Sequence, residues 1–124
     1  MARPRSITLT EAELRLMNVL WKLGCGTVGD VAAALKGKRA LAYNTVLTTM
    51  RILEAKGYLR HTKEGRAFVY EPVIGQKEAG SQAMRQLLSR FFSGSPAQLV
   101  MNLLEHESID ARELERIRKL IDGN

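Results

Sequence analysis

Asn44, Thr45, Thr48 and Arg51 recur about one helical turn apart within AYNTVLTTMRILEAKGYL. At that spacing two hydroxyls, an amide and a guanidinium share one helical face. Such groups suit base edges and phosphates. Downstream, Lys63-Glu64-Gly65-Arg66 sets two further cations and a glycine between stretches of β-forming residues, as at a hairpin tip. Upstream, Lys36-Gly37-Lys38-Arg39 reads either as a solvated turn or as a strip that meets backbone phosphates. No nucleophile-base constellation, HExxH or phosphate-cradling glycine loop accompanies these groups, so the sequence does not read as an enzyme.

The elements that must hold these side chains follow from the apolar pattern. Tyr43, Val46, Met50 and Leu53 form a stripe opposite the polar face, which predicts a helix from Ala42 to Lys56 closed by Gly57. Tyr43, at the start of that stripe, also counts among the residues expected to touch a polyanion. Tyr58 to Thr62 and Ala67 to Tyr70 predict the two strands of the hairpin. Ahead of them, Thr10-Glu11-Ala12-Glu13 is a capping box opening a first helix with Leu14, Met17, Val19, Leu20 and Trp21 on its apolar side, closed by Gly24-Cys25-Gly26. Trp21 and Cys25 read as packing residues. Thr27-Val28-Gly29-Asp30 repeats the capping pattern before Val31, Ala32, Ala34 and Leu35, a short second helix. Two helices, a third with a polar outer face and a basic-tipped hairpin make a winged helix-turn-helix, mainly α with a small β-hairpin wing. Ala2 to Ser6 reads as a frayed basic arm or as a further minor-groove or phosphate contact.

Charge supports this division of labour. Residues 1–74 carry twelve Lys/Arg and six Asp/Glu, whereas residues 75–124 carry seven of each, so the whole +6 excess lies with the helices and hairpin. Joined to the motif, that bias points to double-stranded DNA. Few aromatic residues argue against an RNA stacking platform. One cysteine supplies neither a disulfide nor a thiolate cluster. With no hydrophobic run of spanning length, membrane insertion is not expected and a cytoplasmic location is. His61 and His106 fall in different modules and read as ordinary surface or packing residues. No metal or other cofactor is expected.

From Ile74 the basic excess ends, which divides the chain into a DNA-binding domain over residues 1–73 and a helical region over 74–124. A helix from about Gln76 carries Met84, Leu87, Leu88, Phe91 and Phe92, and Gly94 breaks it. Ser95-Pro96-Ala97-Gln98 starts another, followed by Leu99, Val100, Leu103 and Leu104. A last helix from near Asp110 carries Leu114, Ile117, Leu120 and Ile121. These helices either pack back on the first domain or meet a second copy of the chain. Dimerisation is expected, because a small winged domain cannot cover three apolar faces and a two-fold dimer reads two half-sites. Leu87, Leu88, Phe91, Leu99, Leu103, Leu114, Ile117 and Leu120 would line that interface.

Four blocks, LTEAELRLMNVLW (9–21), TVGDVAAAL (27–35), LAYNTVLTTMRILEAKGYL (41–59) and EGRAFVYEP (64–72), stand in the order of the penicillinase-repressor family of bacterial winged-helix regulators, which the chain resembles over nearly its whole length. The resemblance implies a homodimeric repressor on a pseudo-palindromic operator, with Asn44, Thr45 and Thr48 at base edges and Lys63 and Arg66 on the wing. Ile52 departs from relatives that carry a second basic residue there. In the β-lactamase-type members a membrane-bound sensor protease cuts between an Asn and a Phe, which implies cleavage at Asn102-Leu103, with Leu in place of Phe. Copper-responsive members end in a cysteine-rich metal site, and this chain ends KLIDGN. Two other classes fit the residues: a winged-helix protein-interaction module without DNA sequence preference, and a regulator gated by a small molecule held near Phe91, Phe92 and Met101.

Overall fold

The Thr10 amide donates to Glu13 Oε1 at 2.9 Å, and the Glu13 amide donates to Thr10 Oγ1 at 3.1 Å. That reciprocal cap opens α1 (Glu11–Leu23) in a computed structural model that describes residues 9–35, 37 and 40–123. Thr27 and Asp30 make the same reciprocal pair ahead of α2 (Val28–Ala34), and α3 (Tyr43–Ala55) follows. The wing is β1 (Leu59–Glu64) paired antiparallel with β2 (Ala67–Pro72). Both strands run longer than the sequence pattern predicts, leaving Gly65 and Arg66 as a two-residue turn. Gly65 has a φ of 63°, which suits the first central position of such a turn and strains any residue with a Cβ.

One core gathers these elements. Leu16, Met17 and Leu20 from α1, Val28 and Val31 from α2, and Val46, Met50 and Leu53 from α3 bury against Tyr58, Leu59, Tyr70 and Ile74. The inward face of α1 is centred on Leu16 rather than on the expected Leu14, which is exposed. Leu14 and half-buried Trp21 stand at the edge of that face and wall a cavity of about 410 Å³ with Gln76, Ala79, Gly80 and Ala83. The Trp21 indole N–H donates to the Ile74 carbonyl at 2.8 Å. Cys25 is exposed, not packed: Gly24 turns the chain at a φ of 88°, and Gly26 then joins Tyr70 through paired backbone hydrogen bonds of 2.9 and 2.8 Å, which leaves Cys25 at the apex. Tyr43 also departs from expectation. It is 56% exposed although it points within about 50° of the centre of the stripe that Val46, Met50 and Leu53 bury, because it opens the helix and borders an opening rather than the core.

Packing divides the chain into two compact units, Met1–Ala83 and Met84–Asn124. The composition shift at Ile74 therefore precedes the structural seam. Ile74 belongs to the first core, and α4 (Gln76–Phe91) begins in the first unit and ends in the second. In the second unit the positive φ of Ser93 and Gly94 turns the chain out of α4. Ser95 Oγ accepts from the Gln98 amide at 3.2 Å to start α5 (Pro96–His106), and Asp110 accepts from the Arg112 amide at 2.7 Å to start α6 (Ala111–Ile121). No residue of α4, α5 or α6 is buried. Among the described residues no helix is long and apolar enough to cross a membrane.

Candidate nucleic-acid interface

The position of α3 is set at both ends. At its start Ala42 offers no capping side chain, so the first amides of the helix are left to other acceptors. At its end the Tyr58 amide donates to the Leu53 carbonyl at 2.9 Å and the Gly57 amide to Glu54 at 3.0 Å, a Schellman close that feeds straight into the wing. Lys56, beside that close, donates to both Glu13 oxygens at 2.7 and 3.0 Å and so ties α3 to α1. Burial raises the Glu13 carboxyl, but the Lys56 ammonium and the Thr10 amide and hydroxyl outweigh it and hold the group below its ordinary value.

With Val46, Met50 and Leu53 turned inward, Asn44, Thr45 and Thr48 are exposed together on the opposite side and line one shallow surface with Thr49. The Thr49 hydroxyl is not available to a ligand, since it donates to the Thr45 carbonyl at 2.7 Å. Tyr43 and Arg66 meet across a second opening of about 210 Å³, between the starts of α2 and α3 and the wing, with Leu47 and Phe68 on its walls. Lys63 is exposed on β1. Neither Lys63 nor Arg66 has an ion-pair partner among the described residues, whereas Arg60 pairs with Glu71 at 2.7 Å. Lys38 and Arg39 lie outside the described residues, as do Lys36 and the arm from Ala2 to Ser6.

Arg51 is exposed, and its positive charge acts on the Tyr70 hydroxyl. Burial and the neighbouring Glu54 carboxylate push that hydroxyl up, and Arg51 pulls against them. Glu54 in turn lies 2.6 Å from His61 Nδ1. The sequence gives no sign of this cluster, because Glu54, His61 and Tyr70 meet only when the register of the hairpin is set. The assembled surface offers hydroxyls and an amide on a helix, flanked by two exposed cations on a wing, which is the chemistry of groove and phosphate recognition.

The chain is similar to several known proteins. A family model described as Penicillinase repressor matches residues 9–123. The penicillinase repressor of Bacillus licheniformis is 30% identical over 114 residues, covering 92% of this chain and 89% of that protein. The methicillin resistance regulatory protein MecI of Mammaliicoccus sciuri is 20% identical over 118 residues, covering 95% and 96%. The solution structure of the DNA binding domain of the repressor BlaI matches with a TM-score of 0.54 at 33% identity, over 61% of this chain and 93% of that one. A MepR-like protein crystallised with pseudoligands shares the fold at a TM-score of 0.50 and 16% identity, over 94% and 78%.

Proposed function

The chain belongs to the penicillinase repressor family, DNA-binding transcriptional repressors of the winged-helix fold, and from that premise we propose how it works. It acts in the cytoplasm as a homodimer on a pseudo-palindromic operator that overlaps a promoter, and it excludes polymerase while bound. Its regulated genes are of the β-lactamase type or serve another stress response. The observation that carries the reading is the two-sided α3, whose inner face is sealed in the core while Asn44, Thr45 and Thr48 stand exposed beside a wing carrying Lys63 and Arg66. Two such helices enter successive major grooves, and the wings and the Lys36–Arg39 turn hold phosphates. A phosphate oxygen at the uncapped start of α3 would satisfy its first amides.

Dimerisation is supported by the second unit, where Phe91 is 72% and Leu120 79% exposed and Leu87, Leu103, Leu114 and Ile117 are exposed as well. A second copy covers these side chains, together with the half-buried Leu88 and Leu99. Relief comes from a membrane-bound sensor protease that cuts Asn102-Leu103. Both residues are exposed in the middle of α5, so cutting follows local opening of that helix.

Selection of random duplex DNA on the purified chain, with the stoichiometry of the bound species measured in parallel, tests the reading. A two-fold-symmetric consensus bound by two chains is expected, with affinity falling about 10³- to 10⁵-fold between ~50 and ~200 mM salt. Salt-sensitive binding without any consensus would overturn it in favour of a protein-interaction module. One observation favours a second mode of relief, a small apolar effector. Val100, Leu103, Leu104, Leu114, Ile117 and Ile121 line an open apolar groove of about 390 Å³ between α5 and α6, whereas Phe91, Phe92 and Met101, the residues expected to line such a cavity, do not. That mode releases the operator with the chain intact.

A further inference from the structure

A two-stranded hairpin is marginal by itself, and β1 beyond Leu59 buries nothing. Two backbone attachments hold this wing: the Gly26–Tyr70 pair holds β2 to the turn before α2, midway along the hairpin, and the Schellman close holds the root of β1 to the end of α3. Beyond that root the backbone of β1 is held only through its ladder with β2. One side-chain contact from α3 holds it further: Glu54 reaches His61 on β1 at 2.6 Å. His61 and Tyr70 are directly opposed in the strand register, so β1 is tied to α3 at the rung where β2 is tied to Gly26. A carboxylate only accepts, so His61 Nδ1 carries the proton and donates. The imidazole is held from its other side by Phe68, whose ring stacks on it at 4.4 Å and 25°. Phe68 is also a wall of the opening that contains Arg66.

We propose that Glu54 and His61 are positioning residues for DNA binding. They set the angle of the wing to the recognition helix, so that Arg66 and Lys63 reach phosphates in step with the bases met by Thr48. The inference rests on the DNA-binding reading above. A cation on an untethered tip samples many positions and loses that freedom on binding, which lowers affinity although no contact to DNA has been removed.

The test uses the full chain carrying His61→Ala, Glu54→Ala, both together, and Glu54→Gln, which keeps an oxygen to accept from Nδ1. Two quantities are read: affinity for the selected operator, and the amide order parameters of Lys63 to Arg66 in the free chain. Each alanine variant is expected to bind roughly 3- to 10-fold more weakly, the double variant little worse than either single one, and Glu54→Gln close to the parent. Wing order falls in the alanine variants while the melting temperature stays near that of the parent. Losses that multiply in the double variant, an unchanged wing order, or a fall in melting temperature that accounts for the lost binding would each overturn the proposal. If the parent chain selects no DNA sequence, the DNA-binding reading fails on its own. The wing order parameters still decide whether this pair holds the wing.

Discussion

Thr48 lies one helical turn beyond Asn44 and Thr45 on the exposed face of α3, so in the proposed complex its hydroxyl would meet a different base edge from theirs. Thr48→Ala is expected to relax preference at one position of each half-site by about 1–3 kcal/mol, and competition between operator and single-base variants measures it. Arg66→Ala should instead weaken operator and random DNA alike and reduce the magnitude of the salt slope by about 1, read from titrations at several salt concentrations. A third residue-scale prediction concerns the nearly buried Glu13 and its partner Lys56. The folded value of the Glu13 carboxyl lies below the 4.5 of the free group. Its contribution to stability is therefore complete above that pH and is lost as pH falls through the lower folded value. Lys56→Met should cost about 2–3 kcal/mol at neutral pH and remove that part of the acid dependence, as urea titrations across pH would measure.

At the scale of elements, what the sequence makes legible is what depends on neighbours in the chain. The Thr10–Glu13 and Thr27–Asp30 caps, the Ser95 and Asp110 caps and the Gly57 close each involve residues a few positions apart, and the structure forms each of them. Thr10→Ala should therefore lower the stability of the first unit by about 0.5–2 kcal/mol, and Ser95→Ala should do the same only for α5, as amide exchange resolved by helix would distinguish. Periodicity found α3 but misplaced Tyr43, because a helical repeat gives the direction of a side chain and not how far the neighbouring elements extend to cover it. Leu14 is a miss of direction instead: it points about 200° away from Leu16, which packs with Met17 and Leu20. The link of Glu54 to His61, and that of Arg51 to Tyr70, had no local signal at all. Each joins a helix to a strand, and a shift of one residue in register would turn His61 to the other face of the hairpin.

At the scale of the molecule, one unit carries a sealed core and the basic surface, and the other carries helices with nothing buried. In the proposed dimer that asymmetry would make the second unit the part whose order depends on protein concentration. Leu120→Asp is expected to convert the dimer to monomer in sedimentation equilibrium and to cut operator affinity by about 10²- to 10⁴-fold, the advantage that linkage of two half-sites supplies. The spectrum and stability of the first unit should not change. Trp21 gives that separation an optical signature. It is the sole tryptophan of the chain, and its indole is tied to Ile74 inside the first unit. Ultraviolet-excited emission is therefore blind to subunit separation and to a cut in α5. Far-ultraviolet ellipticity sees α5 and α6 melt first. On heating a dilute sample, the two signals part company: helix content declines at a dilution-dependent temperature while the emission maximum holds, and it shifts red only when the core around Leu16 and Met50 opens.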